Sequence, residues 1–340
     1  MPTKAATKVL ITGATGFIGG HLVDANLKAK RKVRALVMTN DPGEAALRKR
    51  RVEIVYGDLR DVESLEHACR GIDIVFHCAA VVTDWAPQSL FDTVNIGGME
   101  KLCSAALKAR VKRFVEMSTN DVFGLGEDFV IDESFPLRKW HEPYADTKIA
   151  AEEVAWRYHR EHGLPVTMVY PCWVYGPGDK TFVPLTADAI LKKEMIFWRH
   201  DVHVWPTYID NLIDLLMKIS TDKRAVGNGY LVHDGEMTTF QNFCAEIART
   251  VGAKEPKLHI PYAIAYAAAI VLELVWRLLK KKSRPLLTTY TVKNLGSRLK
   301  FSIAKAEREL GWKPKIPYRE GLAKTLSWLT TLDLTKLKGK

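Results

Sequence analysis

Tyr144-Ala145-Asp146-Thr147-Lys148 sets a phenol and an ammonium four residues apart, and none of the other ten tyrosines in the chain has Lys at that spacing. Pro143 suits a first helical turn, and residues 144–162 read as a helix rich in Ala and Glu. Positions i and i+4 share a helix face, so both side chains can point into one cleft. A free phenol, with a pKa of about 10, is a poor base at neutral pH. A nearby ammonium stabilises phenolate, so Lys148 is expected to lower the Tyr144 pKa and make a proton donor–acceptor of it. A second hydroxyl comes from Ser118 or Thr119, at the carboxyl end of a strand expected over 113–118; sequence physics does not separate the two.

Thr12-Gly13-Ala14-Thr15-Gly16-Phe17-Ile18-Gly19 lies upstream. The apolar run 8–12 reads as a buried parallel strand and 17–27 as a helix, so the glycines sit between strand and helix. Gly13 permits the tight turn, Gly16 lets the backbone approach a pyrophosphate, and Gly19 lets the helix pack close. The N–H groups of the helix start then face the phosphates. A dinucleotide cradle beside a Tyr/Lys pair points to hydride transfer to or from a carbonyl or alcohol.

The elements that must position these groups alternate. Strands are expected at 33–38, 52–56, 73–77, 113–118 and 166–170, separated by amphipathic stretches such as 90–109. That alternation argues for an α/β fold with a doubly wound parallel sheet. Asp58-Leu59 follows the third strand and Cys78-Ala79-Ala80 the fourth, where ligands of such sheets lie. A Rossmann-type domain is expected over 1–175. A smaller substrate domain over 176–335 carries elements at 208–220, 230–233, 238–251, 304–310 and 318–329, interleaved with the first. Residues 124–143 and 176–183 read as loops over the substrate.

These residues resemble the extended short-chain dehydrogenase/reductase superfamily. The resemblance rests on the Thr12–Gly19 run, Gly57-Asp58-Leu59, His77-Cys78-Ala79-Ala80, Asn95 in V-N-x-x-G, M-S-T-x-x-V-F-G ending at Gly124, Y-x-x-x-K, and V-Y-G-P-G-D ending at Asp179. It implies that Thr119 is the catalytic hydroxyl, that Asp58 and Leu59 contact the adenine, and that Ala79, Ala80, Asn95 and the turn from Pro171 to Val174 run along the nicotinamide side. It also implies a homodimer. Within the superfamily the chain looks most like the 3β-hydroxysteroid dehydrogenase/isomerase-like branch, through Val82-Thr83-Asp84-Trp85, Pro261-Tyr262, Arg284-Pro285-Leu286-Leu287-Thr288, and the stretch from Lys305 to Pro314. One departure bears on substrate. Sugar-nucleotide epimerases carry Arg and Asn after the sixth strand, where this chain has Tyr170 and Trp173. An indole offers one donor and a large apolar face. This disfavours a diphosphate and favours an apolar or ring-shaped substrate, with Trp85, Trp140, Trp198 and Trp205 as further candidates for the same region.

The chain of 340 residues, 47% apolar, is long enough for a sizeable core. Five cysteines without C-x-x-C suit reduced cytoplasmic thiols, no metal is expected from ten histidines lacking H-E-x-x-H, and no signal peptide is expected. The net charge of +11 comes without a nucleic-acid signature, so no nucleic acid is expected. The segment from Pro261 to Leu279 is apolar and helical in pattern, but Glu273 and Arg277 fall inside it, four apart, and Lys280, Lys281 and Lys282 follow. It reads as a substrate-domain helix, a helix lying on a membrane surface with a basic collar or, least favoured because of the two charges, a membrane span. Val37 and Met38 stand where an acidic residue usually bonds the adenosine ribose, with Asp41 slightly late. NAD(H) or NADP(H) is therefore expected, NADP(H) being favoured because Arg34 or Arg48 can reach a 2′-phosphate. Two other readings share these motifs: a sugar-nucleotide epimerase or dehydratase, and a dinucleotide-sensing protein without turnover.

Overall fold

The structure is a computed structural model that describes residues 6–281 and 283–334; Lys282 and residue 335 lie outside them. From the N-terminus run β1 (Lys8–Thr12), α1 (Phe17–Lys28), β2 (Lys32–Val37), α2 (Glu44–Lys49), β3 (Glu53–Tyr56), α3 (Val62–Cys69) and β4 (Ile74–His77). Then come α4 (Gln88–Phe91), a π-helical turn (Asp92–Ile96), α5 (Gly97–Lys108), β5 (Arg113–Met117), β6 (Glu127–Ile131), α6 (Pro143–His162), β7 (Val166–Pro171), β8 (Trp173–Tyr175) and α7 (Phe182–Leu191). The chain continues through β9 (His203–Val204), β10 (Pro206–Tyr208), α8 (Ile209–Ile219), β11 (Asn228–Val232), β12 (Thr238–Thr239), α9 (Phe240–Thr250), α10 (Tyr262–Leu278), α11 (Thr289–Asn294), β13 (Arg298–Phe301), α12 (Ala304–Leu310) and α13 (Tyr318–Leu329).

Seven strands form one parallel sheet in the order β11-β7-β5-β4-β1-β2-β3. Its central strands read as continuous apolar runs because helices cover both faces, and Leu10, Ile11, Phe76 and Phe114 are fully buried. The sheet grows outward in both directions from β1, so the strand order reverses between β1 and β4. That reversal leaves a crevice at the carboxyl ends, where a ligand fits. The expected α/β architecture is the observed one.

Tertiary pairing altered several local expectations. Residues 124–143 are not a plain loop, because β6 pairs in parallel with β13. That partner lies far along the chain, and β6 leaves Phe129 and Val130 exposed, so no local period marks it as a strand. The stretch 90–109 is not one regular helix: α4 and α5 are joined through a π turn that carries Asn95. Residues 208–220 divide into the end of β10 and all of α8. The segment 176–183 is irregular until α7 begins at Phe182.

Segments of the second half pack on the first. β11 is the edge strand of the main sheet beside β7. α8 lies against α1, and the Arg31 guanidinium donates to the Ser220 hydroxyl at 3.1 Å. α10 buries only Ala265 and Ala269, against Trp198 and Val292.

Candidate active site

Thr119, Tyr144 and Lys148 converge at the carboxyl end of β5. α6 starts with Pro143 and presents Tyr144 and Lys148 one turn apart. Thr119 has extended backbone; its hydroxyl accepts the Asp121 N–H at 3.3 Å and lies beside the Tyr144 phenol. Ser118 turns the other way and donates to Glu152 Oε2 at 3.2 Å. Successive side chains of extended chain point to opposite sides, so the geometry gives Thr119 to the tyrosine and Ser118 to the buried flank of α6.

The charge relation expected between Lys148 and Tyr144 is corrected. Lys148 Nζ donates to Glu116 Oε1 at 2.5 Å and to the Met117 carbonyl at 2.8 Å. Its charge is compensated there, and the Tyr144 phenol is held well above its usual range, first by burial and then by the Asp121 carboxyl, against which the Thr119 hydroxyl acts. Tyr144 is therefore a neutral phenol, ready to donate a proton to a carbonyl oxygen.

Three neighbours escaped the sequence reading. Glu116 is buried on β5, and burial pushes its carboxyl up to about 7 despite Lys148. Asp121 accepts the Tyr290 hydroxyl at 2.7 Å, and burial raises it to about 6. Tyr290 comes from α11, far along the chain, and takes a hydrogen bond from Asn294 at 3.2 Å. Glu116 had a signal, a carboxylate set among Phe114, Val115 and Met117 in a buried run. Tyr290 had none.

The glycine run makes a tight turn between β1 and α1. Gly13 has φ +68°, and a Cβ there meets the Ala79 nitrogen at 2.9 Å; a Cβ on Gly19 stands 2.1 Å from the Gly13 carbonyl oxygen. Gly16 is exposed, and its outer side is open apart from the turn's own carbonyl. No side chain caps the N-terminus of α1, which leaves its first N–H groups to an anion. Phe17 stacks edge-on with His21, and Ile18 packs on the core beside it. The loop 176–181, expected over substrate, lies against this run instead: Lys180 Nζ donates to the Thr15 carbonyl at 3.0 Å and His21 Nε2 meets the Pro177 carbonyl at 2.9 Å.

Across the crevice, the Cys78 and Ala79 N–H groups donate to Thr12 Oγ1 at 3.2 and 3.1 Å, and Ala80 follows half-buried. Asn95 stands behind this segment. Its Oδ1 accepts the Val81 N–H at 2.8 Å and its Nδ2 donates to Thr147 Oγ1 at 3.2 Å, so it ties the segment to α6. The Asp58 carboxylate pairs with Arg60 at 2.6 Å, and Leu59 is buried beside Gly98. Pro171 ends β7 and Val174 is half-buried in β8. An uncapped helix start, an open glycine flank and small residues opposite are the donor set and the room that a dinucleotide needs.

The two arginines expected at a 2′-phosphate are engaged elsewhere. Arg34 bonds Glu53 and the Ala68 and Arg70 carbonyls, and Arg48 bonds Glu44 and Tyr56. Asp41 folds back onto the glycine run instead, where Oδ2 accepts the Thr15 hydroxyl at 2.8 Å and Oδ1 the Gly43 N–H at 2.7 Å. A carboxylate does stand beside the run.

The tryptophans do not gather in one place. Trp173 packs on Phe182 and Phe240, with ring centroids 4.9 and 6.1 Å away. Trp140 stacks on Tyr290 at 5.3 Å and donates to the Asp121 carbonyl, which brings it to the surroundings of Tyr144. Trp205 bonds the Leu299 carbonyl, Trp198 that of Val292, and Trp85 that of Lys281. The Tyr170 hydroxyl is turned inward to Glu152 Oε1, 2.5 Å away.

A family model described as the NAD dependent epimerase/dehydratase family matches residues 9–231. A 4-hydroxy-2-methyl-3-oxo-4-farnesyl-3,4-dihydroquinoline-1-oxide ketoreductase of Stigmatella aurantiaca is 28% identical over 320 residues, 93% of this chain and 94% of its own length. A 3-beta-hydroxysteroid dehydrogenase of Mycolicibacterium neoaurum is 28% identical over 344 residues, 96% of this chain and 92% of its own. Among solved structures, a dTDP-glucose 4,6-dehydratase from Streptomyces venezuelae with NAD and TYD bound is similar at a TM-score of 0.78 and 25% identity, covering 96% of this chain and 97% of that one.

Proposed function

The chain belongs to the NAD dependent epimerase/dehydratase family, and from that premise we propose that it is an oxidoreductase interconverting an alcohol and a ketone on an apolar, sterol- or lipid-like substrate. The observation that carries this is the Thr119–Tyr144 hydroxyl pair at the end of β5, one helical turn from Lys148. A bound dinucleotide supplies or accepts the hydride. Thr119 orients the reacting oxygen, Tyr144 passes the proton, and Lys148, with two of its three N–H groups taken, has one for the nicotinamide ribose. The apolar substrate is supported by Tyr170 and Trp173, which leave no arginine or asparagine for a diphosphate, and by relatives named for a farnesylated quinoline and a hydroxysteroid. The dinucleotide we propose is NAD(H), because the Asp41 carboxylate stands at Thr15 while Arg34 and Arg48 are paired elsewhere.

Binding titrations with NADH and NADPH, followed by turnover on sterol ketones, other lipid ketones and UDP- or dTDP-sugars, test this. NADH binds more tightly, and lipid ketones are reduced. Turnover of a sugar nucleotide with retained NAD points to the epimerase reading. Dinucleotide binding without any turnover points to a sensor.

For a partner we propose an anionic lipid surface, met by α10. Ile264, Ile270, Val271, Leu274, Leu278 and Leu279 are exposed on and just after this helix, with Arg277, Lys280 and Lys281 around its end. Glu273 pairs with Arg277 at 3.8 Å, as their spacing implies. Among the described residues no helix is long and apolar enough to cross a membrane. An apolar face collared by basic residues suits the boundary of an anionic leaflet. The chain then sediments with phosphatidylserine vesicles, less so in high salt or as Lys280→Glu/Lys281→Glu. Concentration-dependent dimerisation by light scattering, without vesicle binding, overturns it in favour of a second copy covering the face.

A further inference from the structure

Thr12, His77 and Glu116 are register partners across β1, β4 and β5. Partners in a parallel sheet point to one face, so three polar side chains form a row inside an otherwise apolar core. The row is continuous. Thr12 Oγ1 lies 2.7 Å from His77 Nδ1, His77 Nε2 lies 4.0 Å from Glu116 Oε2, and Glu116 Oε1 meets Lys148 Nζ at 2.5 Å. All four residues are buried. Thr12 Oγ1 already accepts the Cys78 and Ala79 N–H groups, so its own hydrogen goes to His77 Nδ1. Burial pushes His77 down to about 3, so it is neutral and its Nε2–H faces Glu116.

A buried carboxylate is costly unless paired, and Glu116 Oε2 has no hydrogen-bond partner among the described residues. No packing need explains a glutamate there. What it does is hold the catalytic ammonium. With Glu116 and the Met117 carbonyl fixing two N–H groups, Lys148 cannot swing, and its third donor is pre-set.

We propose that Glu116 is the positioning residue of Lys148, presenting its ammonium to the ribose of the dinucleotide and setting the pH dependence of dinucleotide binding. This rests on the dinucleotide reading above. The groups that face Glu116 are His77 and Cys78 at the end of β4, Cys103 on α5, and Tyr144, Lys148 and Glu152 on α6. Of these, Lys148 alone is a cation in hydrogen-bond contact with it. A carboxyl titrating about 7 gives up its charge near neutral pH. Lys148 then loses its counter-charge, and its hold loosens.

The test is a double-mutant cycle on NADH affinity, read by fluorescence titration between about pH 6 and 8, the window in which Glu116 titrates. Wild-type affinity rises with pH across this window. Glu116→Gln weakens NADH about tenfold at the upper end, the equivalent of one pKa unit, and removes the rise. In a Lys148→Met background the same Gln substitution costs no further affinity. Glu116→Asp, which keeps the charge, retains the pH-dependent rise and serves where the Gln variant does not fold, as checked by thermal melting. An equal loss in both backgrounds, or an unchanged Kd and pH profile in Glu116→Gln, overturns the proposal. A wild type that binds neither NADH nor NADPH overturns the dinucleotide reading instead.

Discussion

Tyr144 and Thr119 stand side by side, and their removal has distinct consequences. Tyr144→Phe takes away the proton donor and leaves the glycine run untouched. It should lower kcat at least about a hundredfold, the low end for a lost general acid or base, with NADH affinity nearly unchanged. Near-normal turnover by this variant, in a steady-state assay, would rule out the proposed proton transfer. The two adjacent hydroxyls should also separate. Thr119→Val should cut kcat with little change in melting temperature. Ser118→Ala should leave kcat near wild type and lower stability by about 1 kcal/mol, because Glu152 loses a buried hydrogen bond. Equal kinetic effects of the two would mean that the strand end is read wrongly. Local sequence holds both hydroxyls, and strand direction against α6 turns only one of them toward Tyr144.

The glycine turn is packed against by the loop before α7. Asp179 is buried at the start of the loop leading to α7, and its carboxylate accepts the N–H groups of Thr181, Phe182 and Val183 at 2.8, 3.2 and 2.7 Å. This satisfies the orphan donors of the α7 N-terminus and keeps Lys180 against Thr15. Asp179→Ala should cost about 1–2 kcal/mol, seen as a lower urea midpoint at constant slope. NADH affinity should fall with it, since the loop lies against the glycine run. Unchanged affinity in the folded variant would show that the loop plays no part in binding. A similar clasp joins the halves elsewhere: Asp84 accepts Arg284 at 2.6 Å and the Thr288 hydroxyl at 2.6 Å, and these contacts anchor the chain just before α11, which delivers Tyr290.

For the molecule as a whole, buried acids set the response to pH. Burial raises Asp121 and Asp234 from 3.8 to about 6, and Glu116 from 4.5 to about 7. The folded chain therefore keeps protons that the unfolded chain releases. Their stabilising contribution is complete below the unfolded values, near pH 4, and is lost as pH rises through about 6 to 7. Asp222, held at about 2 by Arg224, acts in the opposite sense and below that window. The melting temperature should accordingly fall between about pH 4 and 7, and Asp121→Asn should flatten part of that slope. A melting temperature that climbs over this range, measured by differential scanning calorimetry, would show that these acids are ionised in the fold.

Sequence alone carried the parallel α/β sheet, the glycine turn, the Tyr144–Lys148 spacing and the reading of α10 as an apolar helix with a basic end. These are local patterns: period, turn chemistry and i, i+4 geometry lie within a few residues of one another. Tertiary structure decided what depends on distant partners. It paired β6 with β13, brought Tyr290 to Asp121, and folded Asp41 onto Thr15 in place of the arginines. It also gave Lys148 to Glu116, reversing the expected effect on the phenol. The charge state of a buried group is set by which charges the fold brings within a few ångströms and by how much water it excludes, and neither quantity is written in local sequence.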